Sequence, residues 1–107
     1  MRTPSSLEEV AGLIETGQRL VFVFMASWCP DCHFIAPYLS EIEERFGSAT
    51  FVELDRDAFM PLAKEWDIFG IPSVVVVENG REVGRLVNKL RKSKEEIIRF
   101  LEGLEEK

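Results

Sequence analysis

Ser27-Trp28-Cys29-Pro30-Asp31-Cys32-His33 follows directly on an apolar run, residues 20–26, and opens a stretch with helical periodicity. Two cysteines separated by two residues at a strand-to-helix junction make a redox-type dithiol motif. The junction matters because the first turn of a helix carries unpaired N–H groups and the positive end of the macrodipole. A cysteine there is biased toward thiolate, the form that attacks disulfides. Cys29 is the candidate nucleophile, expected to stand exposed ahead of the helix, and Cys32, one turn on and deeper, is the candidate resolving thiol. The same pair could be half of a zinc site, but only His33 adds a nearby ligand, crowded against Cys32. Redox use is the better reading, and a metal cluster bridged between two chains stays open.

On either side of the motif the pattern alternates between strands and helices. Residues 20–26 are apolar at every position, as a strand covered on both faces requires. Residues 30–46 predict a helix whose inner stripe is Phe34, Ile35, Tyr38, Leu39, Ile42 and Phe46. Pro30 suits its first turn, and Pro37 removes a ladder bond and predicts a kink. Upstream, Ser6 with Glu9 reads as a capping box for a helix ending at Gly17. Downstream come a strand at 50–55, a short helix at 61–65 and a strand at 74–77. Asn79-Gly80 then predicts a tight hairpin into a strand at 82–87. Ser93 with Glu96 caps a last helix. Helix-linked strands are expected to pair in parallel and the hairpin to add an antiparallel edge. Phe24, Met25 and Phe69 read as packing, and Trp66 as core.

The 107 residues fit one domain, 1–107, with one core. A net charge of −6, from 13 basic and 19 acidic residues, argues against nucleic acid as a partner. The longest apolar run is seven residues, too short to cross a membrane. The first six residues lack the apolar region of a signal peptide, so the expected address is cytoplasmic, where thiols stay mostly reduced.

Trp28-Cys29-Pro30-Asp31-Cys32, Pro37, Gly70-Ile71-Pro72-Ser73, the Asn79-Gly80 hairpin and the final helix stand in the order and spacing of the thioredoxin family, which the chain resembles over nearly its whole length. The Pro-Asp pair between the cysteines, with Asp55-Arg56-Asp57 and Phe69-Gly70-Ile71-Pro72, is similar to short bacterial thioredoxin-like proteins. The resemblance implies an α/β thioredoxin-like fold. Its mixed central sheet would have four strands, or five with an N-terminal strand, and helices on both faces. That first strand is reduced or absent here. It implies a monomeric thiol–disulfide oxidoreductase, mainly a disulfide reductase, that needs no bound cofactor. Disulfide-bonded proteins or small thiols would be substrates, and a thioredoxin-reductase-like enzyme the electron donor. Reduction of mixed disulfides with small thiols, or a non-catalytic binding module, are the alternatives. Trp28, Ile71, Pro72 and Asn88 are the docking residues so implied, with a cis Ile71–Pro72 peptide.

Departures from the family pattern bear on mechanism. Val23 stands where thioredoxins bury an aspartate, and Glu53 where its partner lysine would be, so Glu53 is a candidate substitute proton acceptor. Asp31 stabilises a helix start but disfavours a neighbouring thiolate. His33 matches an often basic position and is expected to face solvent and tune the thiolate modestly. Asn88 replaces a glycine beside the substrate path, which predicts a narrower groove and a restricted set of partners.

Overall fold

Strand β1 (Leu20–Met25) has no exposed side chain, which is why all six of its residues are apolar. In the computed structural model, which describes residues 1–105, it lies inside a four-stranded sheet of order β2-β1-β3-β4. The other strands are β2 (Thr50–Asp55), β3 (Ser73–Glu78) and β4 (Arg81–Leu86). β2 runs parallel to β1 and sets Glu53 opposite Val23. An N-terminal strand survives only as one bridge, Arg2 to Val52, on the outer edge of β2.

The parallel expectation fails for β3, which lies antiparallel against the other edge of β1. The cause is where the connection begins and ends. Asp55, the last residue of β2, is level with Met25, and Ser73, the first of β3, is level with Phe24. The chain between them, including the short helix α4 (Met60–Glu65), therefore leaves and re-enters the sheet at the same end. That end is also where β1 delivers the chain to Cys29. The hairpin forms as read, with Asn79 at φ 55° and Gly80 at φ 76°, both in the left-handed region such a turn needs.

Helices cover both faces. On one, Trp66 at the end of α4 sets its ring edge-on to Phe22 and Phe24, with centroids 5.3 and 6.0 Å away. Ile14 of α1 (Leu7–Glu15) borders a hollow with Trp66, Val75 and Val77 on that face. The predicted helix 30–46 covers the other face in two pieces, α2 (Pro30–Ile35) and α3 (Leu39–Arg45), joined by a turn of 3₁₀ helix at Ala36–Tyr38. Pro37 is the reason for the break. Three residues per turn in place of 3.6 shift the inner stripe, so Ile35, Leu39, Ile42 and Phe46 are buried while Phe34 and Tyr38 face out, contrary to expectation. The last helix, α5 (Lys94–Glu105), crosses β4 with Leu104 over Gly84.

The capping boxes form in part. Ser6 Oγ accepts from Glu9 N at 3.2 Å, but the Glu9 carboxylate returns to Ser5, not Ser6. Ser93 Oγ accepts from Glu96 N at 3.0 Å. Phe22, Phe24 and Phe51 are almost wholly buried, each contributing about 1.5–3 kcal/mol of apolar transfer.

Gly70 marks the tightest approach. A Cβ there would sit 2.1 Å from the Asn88 carbonyl oxygen, a backbone atom that cannot rotate away. Gly70→Ala is expected to destabilise the fold by about 3 kcal/mol. Urea unfolding checks this, and a loss below about 0.5 kcal/mol would contradict the contact.

Candidate functional site

Cys29 caps α2. Its backbone is extended (φ −88°, ψ 113°), and its Sγ accepts from Cys32 N at 3.2 Å. Sγ also donates to Ile71 O at 3.8 Å, across from the loop that leads into β3. Those contacts correct one expectation: Cys29 is not exposed but 5% accessible, enclosed between the helix start and the 70–72 loop. Cys32 is deeper still at 2%, and both are free thiols. Burial, then the contact with Cys29, pushes the Cys32 thiol up to about 12.

Pro30 occupies the first turn of α2 and is exposed. Asp31 beside it does not stand alone against the thiols. Arg91, from the loop before α5, reaches its Oδ1 at 3.3 Å and lies over the Phe34 ring at 4.4 Å. His33 is exposed, as expected, with Nε2 against Ser27 O. Trp28 is 59% exposed, but its ring is fixed in place. Nε1 donates to Asp57 Oδ2 at 2.6 Å, and Arg56 sits 5.5 Å from the ring centroid. The indole donor first, then Arg56, holds the Asp57 carboxyl below the usual range. Ile71–Pro72 is cis, and both residues are buried. Phe69 is 54% exposed on the same end, where the sequence suggested packing.

Glu53 and Cys32 line one cleft of about 230 Å³, together with Ala26, His33 and Asp55. Asp55 is committed to its own turn, accepting from Asp57 N at 2.8 Å and Ala58 N at 3.3 Å. Glu53 is exposed and makes no side-chain hydrogen bond or ion pair among the described residues. Asn88 turns its amide oxygen back into its own loop, where it accepts from Leu90 N at 2.9 Å and Lys92 Nζ at 2.8 Å.

The structure therefore brings together Trp28, Cys29, Asp31, Cys32 and Ile71 at one end of the sheet, with Asn88 reached through Gly70. Sequence reasoning missed Arg91 and Lys92, and it noted Arg56 and Asp57 as part of the family resemblance without their contacts to Trp28. The signal for the first two was a basic stretch, Lys89-Leu90-Arg91-Lys92-Ser93-Lys94, in a chain that is otherwise acidic. No helix among the described residues is long and apolar enough to cross a membrane.

The family model for thioredoxin matches residues 7–103. Thioredoxin H-type 1 of Nicotiana tabacum is 33% identical over 85 residues, covering 79% of this chain and 68% of that protein. Thioredoxin H-type of Fagopyrum esculentum is 37% identical over 73 residues, covering 68% of this chain and 63% of that protein. Among solved structures, thioredoxin from Trypanosoma brucei brucei superposes with a TM-score of 0.86 at 17% identity, covering 98% of this chain and 90% of that one, a likeness of fold. With a dithiol at the sheet end and a family match spanning almost its whole length, the chain belongs to the thioredoxin family.

Proposed function

We propose that this chain is a thiol–disulfide oxidoreductase acting mainly as a reductant of protein disulfides, with Cys29 as nucleophile and Cys32 as resolving thiol. The observation that carries the reading is the unequal pair. The Cys29 sulfur receives a backbone N–H that stabilises negative charge, while burial keeps Cys32 protonated. The Cys29 thiolate attacks a substrate disulfide, forming a mixed disulfide and expelling one substrate thiolate, which takes a proton from solvent. Cys32 then loses its proton and attacks the Cys29 sulfur. That forms the Cys29–Cys32 disulfide and releases the second substrate thiolate, so two electrons have passed to the substrate.

Cys32 has to be deprotonated only at the second step. Glu53, in the same cleft and free of other partners among the described residues, is the acceptor that solvent in the cleft would connect to it. Trp28, Ile71 and Pro72 form the surface against which a substrate strand would lie, and the enclosed Cys29 requires that strand to enter beside the 70–72 loop. Asp31, His33 and Pro30 shape the start of α2 around the nucleophile. A reducing, cytoplasmic setting and a monomeric chain fit this use, with a flavoenzyme of the thioredoxin-reductase type as electron source.

With a dithiol reductant supplied, the protein is expected to reduce a disulfide-linked test protein. Cys29→Ser should abolish that activity, and Cys32→Ser should accumulate a mixed disulfide detectable as a mass adduct. Turnover by Cys29→Ser would refute the assignment. Glu53→Gln is expected to slow release of the mixed disulfide several-fold in rapid-quench measurements while leaving its formation unchanged.

The Cys32 thiol also predicts a pH effect. An unfolded cysteine titrates near about 8.5, whereas the folded one is pushed up to about 12. The folded state binds that proton more tightly, so its contribution is complete below about pH 8.5 and is lost as pH rises toward about 12. Melting of the reduced protein should thus fall more steeply above about pH 9 than melting of Cys32→Ala. Parallel curves would contradict it.

A further inference from the structure

Among the described residues only one charged side chain is buried: Lys92, at 0% exposure. Desolvating an ammonium is costly unless its protons are all taken up. Here Nζ donates to Leu90 O at 2.7 Å, Asn88 Oδ1 at 2.8 Å and Asn88 O at 3.1 Å. Three oxygen acceptors use all three N–H groups of an ammonium, and a neutral amine would have only two to offer. The head group is therefore charged in this arrangement.

The loop that Lys92 ties together leads to the dithiol in short steps. Asn88 O is packed on Gly70, where a Cβ would lie only 2.1 Å away. Gly70 O accepts from Ser73 Oγ, and the next carbonyl, Ile71 O, accepts from Cys29 Sγ. The acidic groups Lys92 faces are Glu96 on α5, Asp31, and the thiols of Cys32 and Cys29 around the start of α2. They counter the downward pull of burial on its titration. Asp31 is also engaged by Arg91, and among the described residues no carboxylate is buried, the β1 position opposite Glu53 being the apolar Val23.

We propose that Lys92 is a positioning residue for the redox reaction: its buried ammonium holds the 88–92 loop against Gly70 and supplies a fixed positive charge that favours the Cys29 thiolate. This rests on the reading of Cys29 and Cys32 as a redox pair. Reduction of their disulfide takes two electrons and one proton to give the Cys29 thiolate and the Cys32 thiol. A charge that stabilises that product makes the pair a weaker reductant than it would be without it. By linkage, the thiolate must in turn stabilise the ammonium.

The test uses Lys92→Met and the wild-type chain together. In Lys92→Met the midpoint of Cys29 alkylation should move to higher pH. Its disulfide should become about tenfold harder to reduce against a thiol buffer, about 30 mV more negative. Lys92→Arg, which keeps the charge, should stay near the wild-type midpoint. Lost stability with an unchanged midpoint and potential would reduce Lys92 to a structural role and overturn the proposal. Should Lys92→Met not fold, the wild-type protein decides by NMR titration of the Lys92 side chain in both redox states. A higher midpoint in the reduced form supports the proposal, and equal midpoints overturn it. A wild-type chain that forms no Cys29–Cys32 disulfide would remove the redox reading and this inference together, whereas normal disulfide formation with an indifferent Lys92 removes only the inference.

Discussion

β1 has a hydrogen-bonded neighbour on each edge and helices over each face, so none of its six side chains is exposed. A strand in that position has to be apolar throughout. Its neighbours are placed by the same requirement: β2 and β3 close its edges, Trp66 closes over Phe22 and Phe24, and the broken helix α2–α3 covers the opposite side. The functional end of the molecule is a consequence of this burial. β1 ends where β2 ends and β3 begins, so the dithiol, the 56–58 turn and the 70–72 loop meet without any of them having to cross the sheet.

The charge pattern at that end differs from the chain as a whole. The protein carries a net charge of −6, yet Arg56, Arg91 and Lys94 each stand over an aromatic ring: Trp28 just before α2, Phe34 within it and Tyr38 in the 3₁₀ turn that follows. Exposed ion pairs such as Arg91–Asp31 contribute little to stability, about 0–1 kcal/mol. Their consequence is local. Asp31 would otherwise oppose a thiolate at Cys29, and the nearby guanidinium offsets that charge. Lys92 differs in kind because it is buried and less screened by salt.

Much of the architecture was legible because its signals are local. Complete apolarity marked β1, Asn79-Gly80 marked the hairpin, and the spacing of Cys29, Cys32 and Pro72 marked the family. A kink at Pro37 was also foreseen, but not the full break or its effect on facing, since a turn of 3₁₀ helix rotates Phe34 and Tyr38 out of the stripe a regular helix would give them. Direction of pairing was misread for β3 because a helical connection implies a parallel neighbour only when the chain returns to the starting end of the sheet.

By itself, the sequence determined the order of elements and the identity of the dithiol, since each depends on residue type and short-range spacing. Only the tertiary structure decided that Cys29 is enclosed by the Ile71 carbonyl, that Arg91 meets Asp31 sixty positions away, and that Lys92 turns inward while Leu90 and Arg91 beside it turn out. A lysine that folds into its own loop and one that stands in water look the same in sequence. The acceptors that distinguish them are carbonyl groups, and these converge on Nζ only when the 88–92 loop closes against Gly70.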